Sequence, residues 1–153
     1  MRLKAFRICT NPFMKLPMAA GIALALSVPG SGRARDDDLP QPRVDRGIRH
    51  LSGGVGLQEE RAMNQVAHRY STRIVFARPD GAFLSRLDLR VRRDGRTLVQ
   101  EKLRGPMFFA NLKPGTYQVE VEHEDWQNRT VSVHVPVDGH VELLLTMAPS
   151  PHA

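Results

Sequence analysis

From Arg73 to Thr146 the sequence alternates with a period of two residues, and this pattern constrains the fold more than any other feature. Short runs of apolar residues alternate with polar ones, and Gly, Pro or Asp turn sequences separate one run from the next. Successive side chains of a β-strand point to opposite faces, so each alternating run buries one face. About seven strands at roughly ten-residue spacing predict an all-β fold, a single Ig-like or transthyretin-like sandwich.

The predicted strands occupy residues 72–147, and each ends at a recognisable turn. Pro79-Asp80-Gly81 and Lys113-Pro114-Gly115 are turn sequences, and Asp94-Gly95 is typical of a tight hairpin. The runs lie at 74–76, 87–91, 97–99, 107–109, 117–121, 131–135 and 141–145. Because every run follows Ser71, we expect the sandwich to fold without the residues that precede it.

Three further segments flank the predicted sandwich. Residues 57–70 predict one short amphipathic helix, because apolar residues fall at helical spacing on one face, namely Met63, Val66, Ala67 and Tyr70. Residues 35–56 predict a flexible linker, since they combine an Asp run, two prolines and a glycine-rich stretch. Residues 148–153 predict a C-terminal tail.

Residues 1–34 have the organisation of a signal peptide. Four basic residues precede an apolar run over residues 16–28, and Pro29-Gly30-Ser31 ends that run. The run is shorter than the roughly 20 apolar residues that span a membrane. Translation from Met1 or from Met14 gives a suitable leader. The chain is therefore expected to be periplasmic or secreted in a bacterium, with no stable membrane insertion after cleavage.

The positive charge of the chain is concentrated in this leader. Five of the 22 lysines and arginines, but no acidic residue, precede Arg35, which leaves 17 basic and 16 acidic residues from there on. A nearly neutral mature chain without interleaved aromatics does not predict nucleic-acid binding. The single cysteine, Cys9, lies in the leader, so the mature chain has no disulfide framework and no thiol nucleophile.

The segment from Gly105 to Val119 resembles the carboxypeptidase regulatory-like domain, a transthyretin-like sandwich. The resemblance rests on a Leu-x-Pro-Gly-x-Tyr-x-Val spacing that begins at Leu112, and it covers about residues 72–147. Upstream, residues 52–63 resemble a Gly-Gly-x-Gly segment and short helix in small exported proteins of proteobacteria. In carboxypeptidases this module accompanies a separate zinc catalytic domain, which this sequence lacks, so the resemblance implies a fold rather than an activity.

No motif in the sequence predicts catalysis, a metal or a cofactor. No His-Glu-x-x-His and no Gly-x-Ser-x-Gly occurs, and His123-Glu124-Asp125 fits a polar hairpin end better than a ligand set. The carboxylates of Glu120 and Glu122 lie on one strand face, where basic residues of the run near Arg90 are their expected partners.

These observations predict a non-enzymatic binding or structural module whose partner is an envelope protein, peptide or polysaccharide. An envelope hydrolase, or an accessory subunit of a separately encoded enzyme, is the alternative. Polar side chains converging in a pocket would favour the enzyme, whereas an open sheet edge would favour binding.

The expected partner contacts are Asp125, Trp126 and Asn128, because the only tryptophan lies in a predicted turn at one end of the sandwich. Trp126 either caps that end or anchors a partner.

Removal of the leader is directly testable. We expect mass spectrometry of a periplasmic extract to find a mature N-terminus between about residues 29 and 38, because the helix breakers lie there. Recovery of the intact leader in the membrane fraction would contradict this prediction.

Overall fold

A computed structural model of the chain describes residues 38–150, which form nine strands in two sheets. A helix, α1 (Leu57–Val66), continues into a 3-10 turn at Ala67–Arg69. The strands are β1 (Arg43–Asp45), β2 (Ile48–Gly53), β3 (Thr72–Ala77), β4 (Asp88–Arg93), β5 (Arg96–Lys102), β6 (Met107–Ala110), β7 (Gly115–Glu122), β8 (Arg129–Val135) and β9 (Val141–Thr146). The predicted all-β sandwich is confirmed. The predicted leader lies outside the described residues.

The two sheets have different sizes and different connections. The larger sheet has the order β1-β2-β6-β3-β9, and the smaller sheet has the order β5-β4-β7-β8. Neighbouring strands are antiparallel except β3 and β9, which pair in parallel with Thr72 opposite Val141. All seven strands predicted from the alternation are present as β3 to β9.

The main core fills the space between the sheets. Each long strand contributes alternate residues, and along β7 the buried positions are Tyr117, Val119 and Val121. Leu112 and Tyr117 are both buried, and the Tyr117 hydroxyl donates a hydrogen bond to the Lys113 carbonyl at 2.8 Å. The chain therefore returns to the core directly after the Lys113-Pro114-Gly115 turn.

A second apolar cluster covers the outer face of the larger sheet. Its buried members come from the helical segment and from β2 and β6, and they are Leu51, Met63, Tyr70, Met107 and Phe109. The helical face predicted over 57–70 is confirmed, because Val66 and Ala67 pack against the same cluster. All four residues of β6 are buried, since one face of this strand meets the smaller sheet and the other meets the helix.

The expectation of a flexible linker over residues 35–56 is wrong for residues 43–53. These residues form the β1–β2 hairpin, and β2 pairs with β6 from His50 opposite Ala110 to Gly53 opposite Met107. The chain is ordered here because His50 and Leu51 are each 1% exposed and pack on the two faces of the sheet. Pro40 and Pro42 precede the hairpin instead of interrupting it.

The start of the predicted C-terminal tail also has defined partners. Pro149 forms a β-bridge with Trp126, and the Gln127 amide donates to the Ala148 carbonyl at 3.0 Å. Residues 148–150 therefore lie along the turn that follows β7. No helix in residues 38–150 is long and apolar enough to cross a membrane.

The structure changes the expected behaviour of a truncated chain. A chain that begins at residue 71 lacks β1, β2 and α1, so Met107 and Phe109 lose their cover and β6 becomes an edge strand. We expect this chain to lose the cooperative thermal transition that a chain beginning at residue 38 retains. The free energy lost by exposing this much apolar surface exceeds the free energy of unfolding of a typical domain. Circular dichroism during heating measures both transitions. Equal midpoints for the two chains would contradict the prediction.

Candidate functional site

A cleft opens between the N-terminal hairpin, the start of α1 and the end of β5. Its volume is about 730 Å³, within the usual range of roughly 300–1,000 Å³ for ligand sites. Strand β5 forms one edge of the smaller sheet, and β1 forms one edge of the larger sheet. The cleft is lined by Pro40, Gln41, Pro42, Arg43, Ser52, Val55, Glu59, Glu101 and Arg104.

Glu101 is the one buried carboxylate among the described residues, and it lies in this cleft. Its inward position on β5 falls between Val99 and Leu103, which are both 1% exposed. Glu101 itself is 7% exposed. A carboxylate in such surroundings is unfavourable unless it is paired and hydrogen-bonded.

Three hydrogen bonds satisfy the Glu101 carboxylate. The Arg43 guanidinium donates from Nη1 to both oxygens, each at 3.0 Å, and the Ser52 hydroxyl donates to Oε1 at 3.1 Å. The two side chains of this ion pair differ sharply in exposure. The Arg43 side chain is 61% exposed, whereas that of Glu101 is only 6% exposed. The Glu101 carboxylate is thus held by hydrogen bonds in a buried position, whereas the Arg43 side chain that pairs with it lies mostly in solvent.

The glycine-rich segment at 53–56 borders the cleft, which Val55 and the nearby Glu59 line. The Gly54 amide donates a hydrogen bond to Glu59 Oε1 at 2.8 Å, which ties the first turn of α1 to the end of β2. A Cβ atom on Gly53 would lie 2.2 Å from that same oxygen, and a Cβ on Gly105 would lie 2.2 Å from the Gly53 carbonyl oxygen. Glycine is therefore required at 105, where the obstructing atom is backbone, whereas the atoms nearest Gly53 belong to the Glu59 and Pro40 side chains.

Sequence reasoning missed this cleft, although one signal for Glu101 was present. The alternation of β5 continues past Val99, so residue 101 falls in phase with the buried positions 99 and 103. A charged residue at a buried position of a strand is unusual, so this glutamate indicates a site of structural or functional importance. Arg43 and Ser52 had no such signal, because they lie in the segment that was interpreted as a linker.

None of the three predicted contact residues lines this cleft. Trp126 is half-buried, packs against the main core and lies under the Arg78 guanidinium, 5.5 Å from the ring centroid. Asp125 and Asn128 are exposed beside it. These contacts support the capping role of Trp126, while the role of the three residues in partner binding stays a prediction.

A smaller cavity of about 190 Å³ adjoins Asp125. Its lining is entirely charged or titratable, with both signs present, and consists of Arg86, Asp88, Lys102, His123, Glu124 and Asp125. The Asp125 amide donates to His123 Nδ1 at 3.0 Å, so this histidine is part of the turn.

The carboxylates of β7 form ion pairs with β4, at 2.7 Å between Arg90 and Glu122 and 2.8 Å between Arg92 and Glu120. The predicted pairing of these two charged faces is confirmed.

His50 is the buried histidine of the described chain, and it lies outside both cavities. Its ring is 5.7 Å from that of Phe108, and its Nε2 lies 3.3 Å from Asp45 Oδ2 without hydrogen-bond geometry. Within residues 38–150, no group of three or more His, Cys, Asp or Glu residues has the arrangement of a metal site.

The capping role of Trp126 predicts a measurable loss of stability on truncation. We expect Trp126→Ala to lower the free energy of unfolding by about 1–3 kcal/mol, less than for a fully buried aromatic, because part of the ring faces solvent. Urea denaturation measures this change. Phe83→Ala is the matched control, since Phe83 is 53% exposed and its removal leaves the core intact. Equal stability of both variants would contradict the capping role.

Comparisons with known proteins add little to this geometry. No protein-family model matches the chain, and no curated protein matches it. Among solved structures, the chain is similar to the Bacillus anthracis TIE protein with a TM-score of 0.43 and 16% sequence identity. That similarity covers 52% of this chain and 16% of the other, so we base the function on the chain's own residues.

Proposed function

We propose that this chain is a non-enzymatic binding module of the bacterial envelope, exported by its leader, with a carboxypeptidase regulatory-like sandwich as its fold. The cleft around Glu101 is its ligand site. The buried Glu101 carboxylate is the observation that carries the proposal. The buried corner formed by Leu112 and Tyr117 supports the finer fold assignment.

An ion pair is not the most stabilising choice for the buried position of Glu101. Replacing a buried ion pair by apolar residues of similar volume is often neutral or stabilising, by roughly 1–4 kcal/mol. The neighbours Val99 and Leu103 indicate that an apolar residue would fit the alternation of β5. The buried carboxylate in an open cleft is therefore best explained by a ligand that it binds.

Two carboxylates in one cleft are also the observation that favours the hydrolase alternative. Glu59 and Glu101 both line the cleft, as a general acid and a general base would. Each is, however, already an acceptor of hydrogen bonds from the protein itself. Within residues 38–150 no histidine lines the cleft, and the Ser52 hydroxyl donates to Glu101 rather than to an imidazole. This arrangement supports binding over hydrolysis.

Site-specific photocrosslinking in intact cells tests the proposal. A benzophenone side chain introduced at Gln41 in the cleft should capture a partner, and the same group at Gln118, on the outer face of β7, should not. We expect Glu101→Gln to reduce the Gln41 adduct by about tenfold, because a ligand loses its hydrogen bonds to a charged group. Circular dichroism of each variant controls for folding.

Four outcomes would contradict the proposal. Capture from Gln118 alone, or equal capture with and without Glu101→Gln, would exclude the cleft as the binding site. Capture from Asn128 alone would move the partner to the Trp126 end of the sandwich. Turnover of an envelope peptide or glycan that both Glu59→Gln and Glu101→Gln abolish would establish the hydrolase alternative.

A further inference from the structure

We propose that the ligand of the Glu101 cleft is an extended polypeptide segment with an arginine side chain, whose guanidinium replaces that of Arg43 on Glu101. This inference rests on the proposed function and names the chemistry of its ligand. In the free protein, Arg43 is then an internal competitor that keeps the carboxylate paired until the ligand arrives.

Arg43 does not pair with Glu101 in the most favourable geometry, so another guanidinium can bind this carboxylate more strongly. Arginine and carboxylate commonly pair through two nitrogens and two parallel hydrogen bonds. Here a single nitrogen, Nη1, contacts both Glu101 oxygens, so the forked donor set of the guanidinium is not used. A guanidinium that enters through the open cleft can present two nitrogens to the same carboxylate.

Exchange of the two cations is inexpensive for the protein. Glu101 stays paired throughout, so the cost of an unpaired buried charge is never incurred. Arg43 belongs to a three-residue edge strand, and its side chain is already mostly in solvent, which makes release into water easy. The ligand therefore competes with a weakly held side chain rather than with a packed one.

The rest of the lining favours a polypeptide over a polysaccharide. Val55 is 57% exposed and lines the cleft beside Pro40 and Pro42, which offers apolar contact to a residue next to the ligand arginine. Gly54 and Gly56 flank Val55 with φ values of 88° and 84°, a backbone conformation that favours glycine. No lining residue in the described part of the chain is aromatic, so a sugar ring finds no face on which to stack.

A cation at the rim completes the recognition of a peptide. Arg104 is exposed, lines the cleft and has no ion-pair partner among residues 38–150. Its guanidinium is free to donate to a carbonyl or carboxylate of the bound segment. The site thus combines an acceptor at its floor, an apolar wall and a donor at its rim.

Binding of acetyl-Val-Arg-Val-amide to the purified mature chain, followed by NMR, tests this inference. The citrulline version of the same peptide is the matched ligand control, because it has the same shape without the charge. We expect the arginine peptide to shift the amide signals of Ser52, Gly54 and Glu101, and to move the Arg43 Nε–H signal toward that of an exposed arginine. The citrulline peptide should bind at least about tenfold more weakly.

Variants of the chain separate competition from a purely structural pair. Arg43→Gln should tighten binding of the arginine peptide by about tenfold. When Arg43 occupies Glu101 in most molecules, only the remaining fraction can bind the peptide, and the apparent affinity falls in proportion to that fraction. Arg49→Gln is the control, since Arg49 is an exposed arginine of the same hairpin and makes no contact with Glu101. Glu101→Gln should abolish binding in both backgrounds.

The inference is overturned if the arginine and citrulline peptides bind equally, or if neither binds the Arg43→Gln variant. It is also overturned if Arg43→Gln only lowers the melting temperature, or if chitotriose binds in a Glu101-dependent manner. If the peptides fail while Glu101-dependent capture from Gln41 persists in cells, the binding module stands and its ligand is of another class. If capture fails as well, both proposals fail.

Discussion

Burial of β6 on both faces is the constraint on which the rest of this structure depends. Phe108 faces the smaller sheet and belongs to the main core, whereas Met107 and Phe109 face the helix and belong to the second cluster. The strand also has a hydrogen-bonded neighbour on each edge, β2 and β3. The sandwich and the N-terminal hairpin with its helix are therefore parts of one folding unit, and neither keeps its apolar surface covered alone.

The cleft lies where this layered packing ends. On the side of β1 and β5 the two sheets meet through polar side chains, because β2 contributes Ser52 and β5 contributes Glu101 to the space between them. Arg43 and Arg46 extend across from the hairpin to β5, the latter by a hydrogen bond to the Thr97 carbonyl. The hairpin is thus held to the smaller sheet by charges and hydrogen bonds, which allows a polar opening without loss of the core.

The sequence predicts the strands well because alternation reports directly on one-sided burial. All strands from β3 to β9 carry that pattern or a turn at each end, and the helix carries its own periodicity. Strand β1 has three residues, too few to show alternation, and β2 has two apolar side chains, Ile48 and Leu51, whose spacing of three residues does not fit alternation. Burial of His50 and the pairing of Glu101 depend on partners far along the chain, which local composition does not encode. Most of the fold was therefore predictable, whereas the candidate site was not.

The parallel pairing of β3 and β9 has a consequence for the timing of folding. Strand β9 is the last of the nine strands to be synthesised, yet it occupies the edge next to β3 and contributes Leu145 to the main core. Contacts between segments so distant in sequence form more slowly than hairpins. Completion of the larger sheet must then wait until β9 has been synthesised. A core that closes last leaves the preceding apolar strands without their final cover until then, which prolongs the period in which they can aggregate.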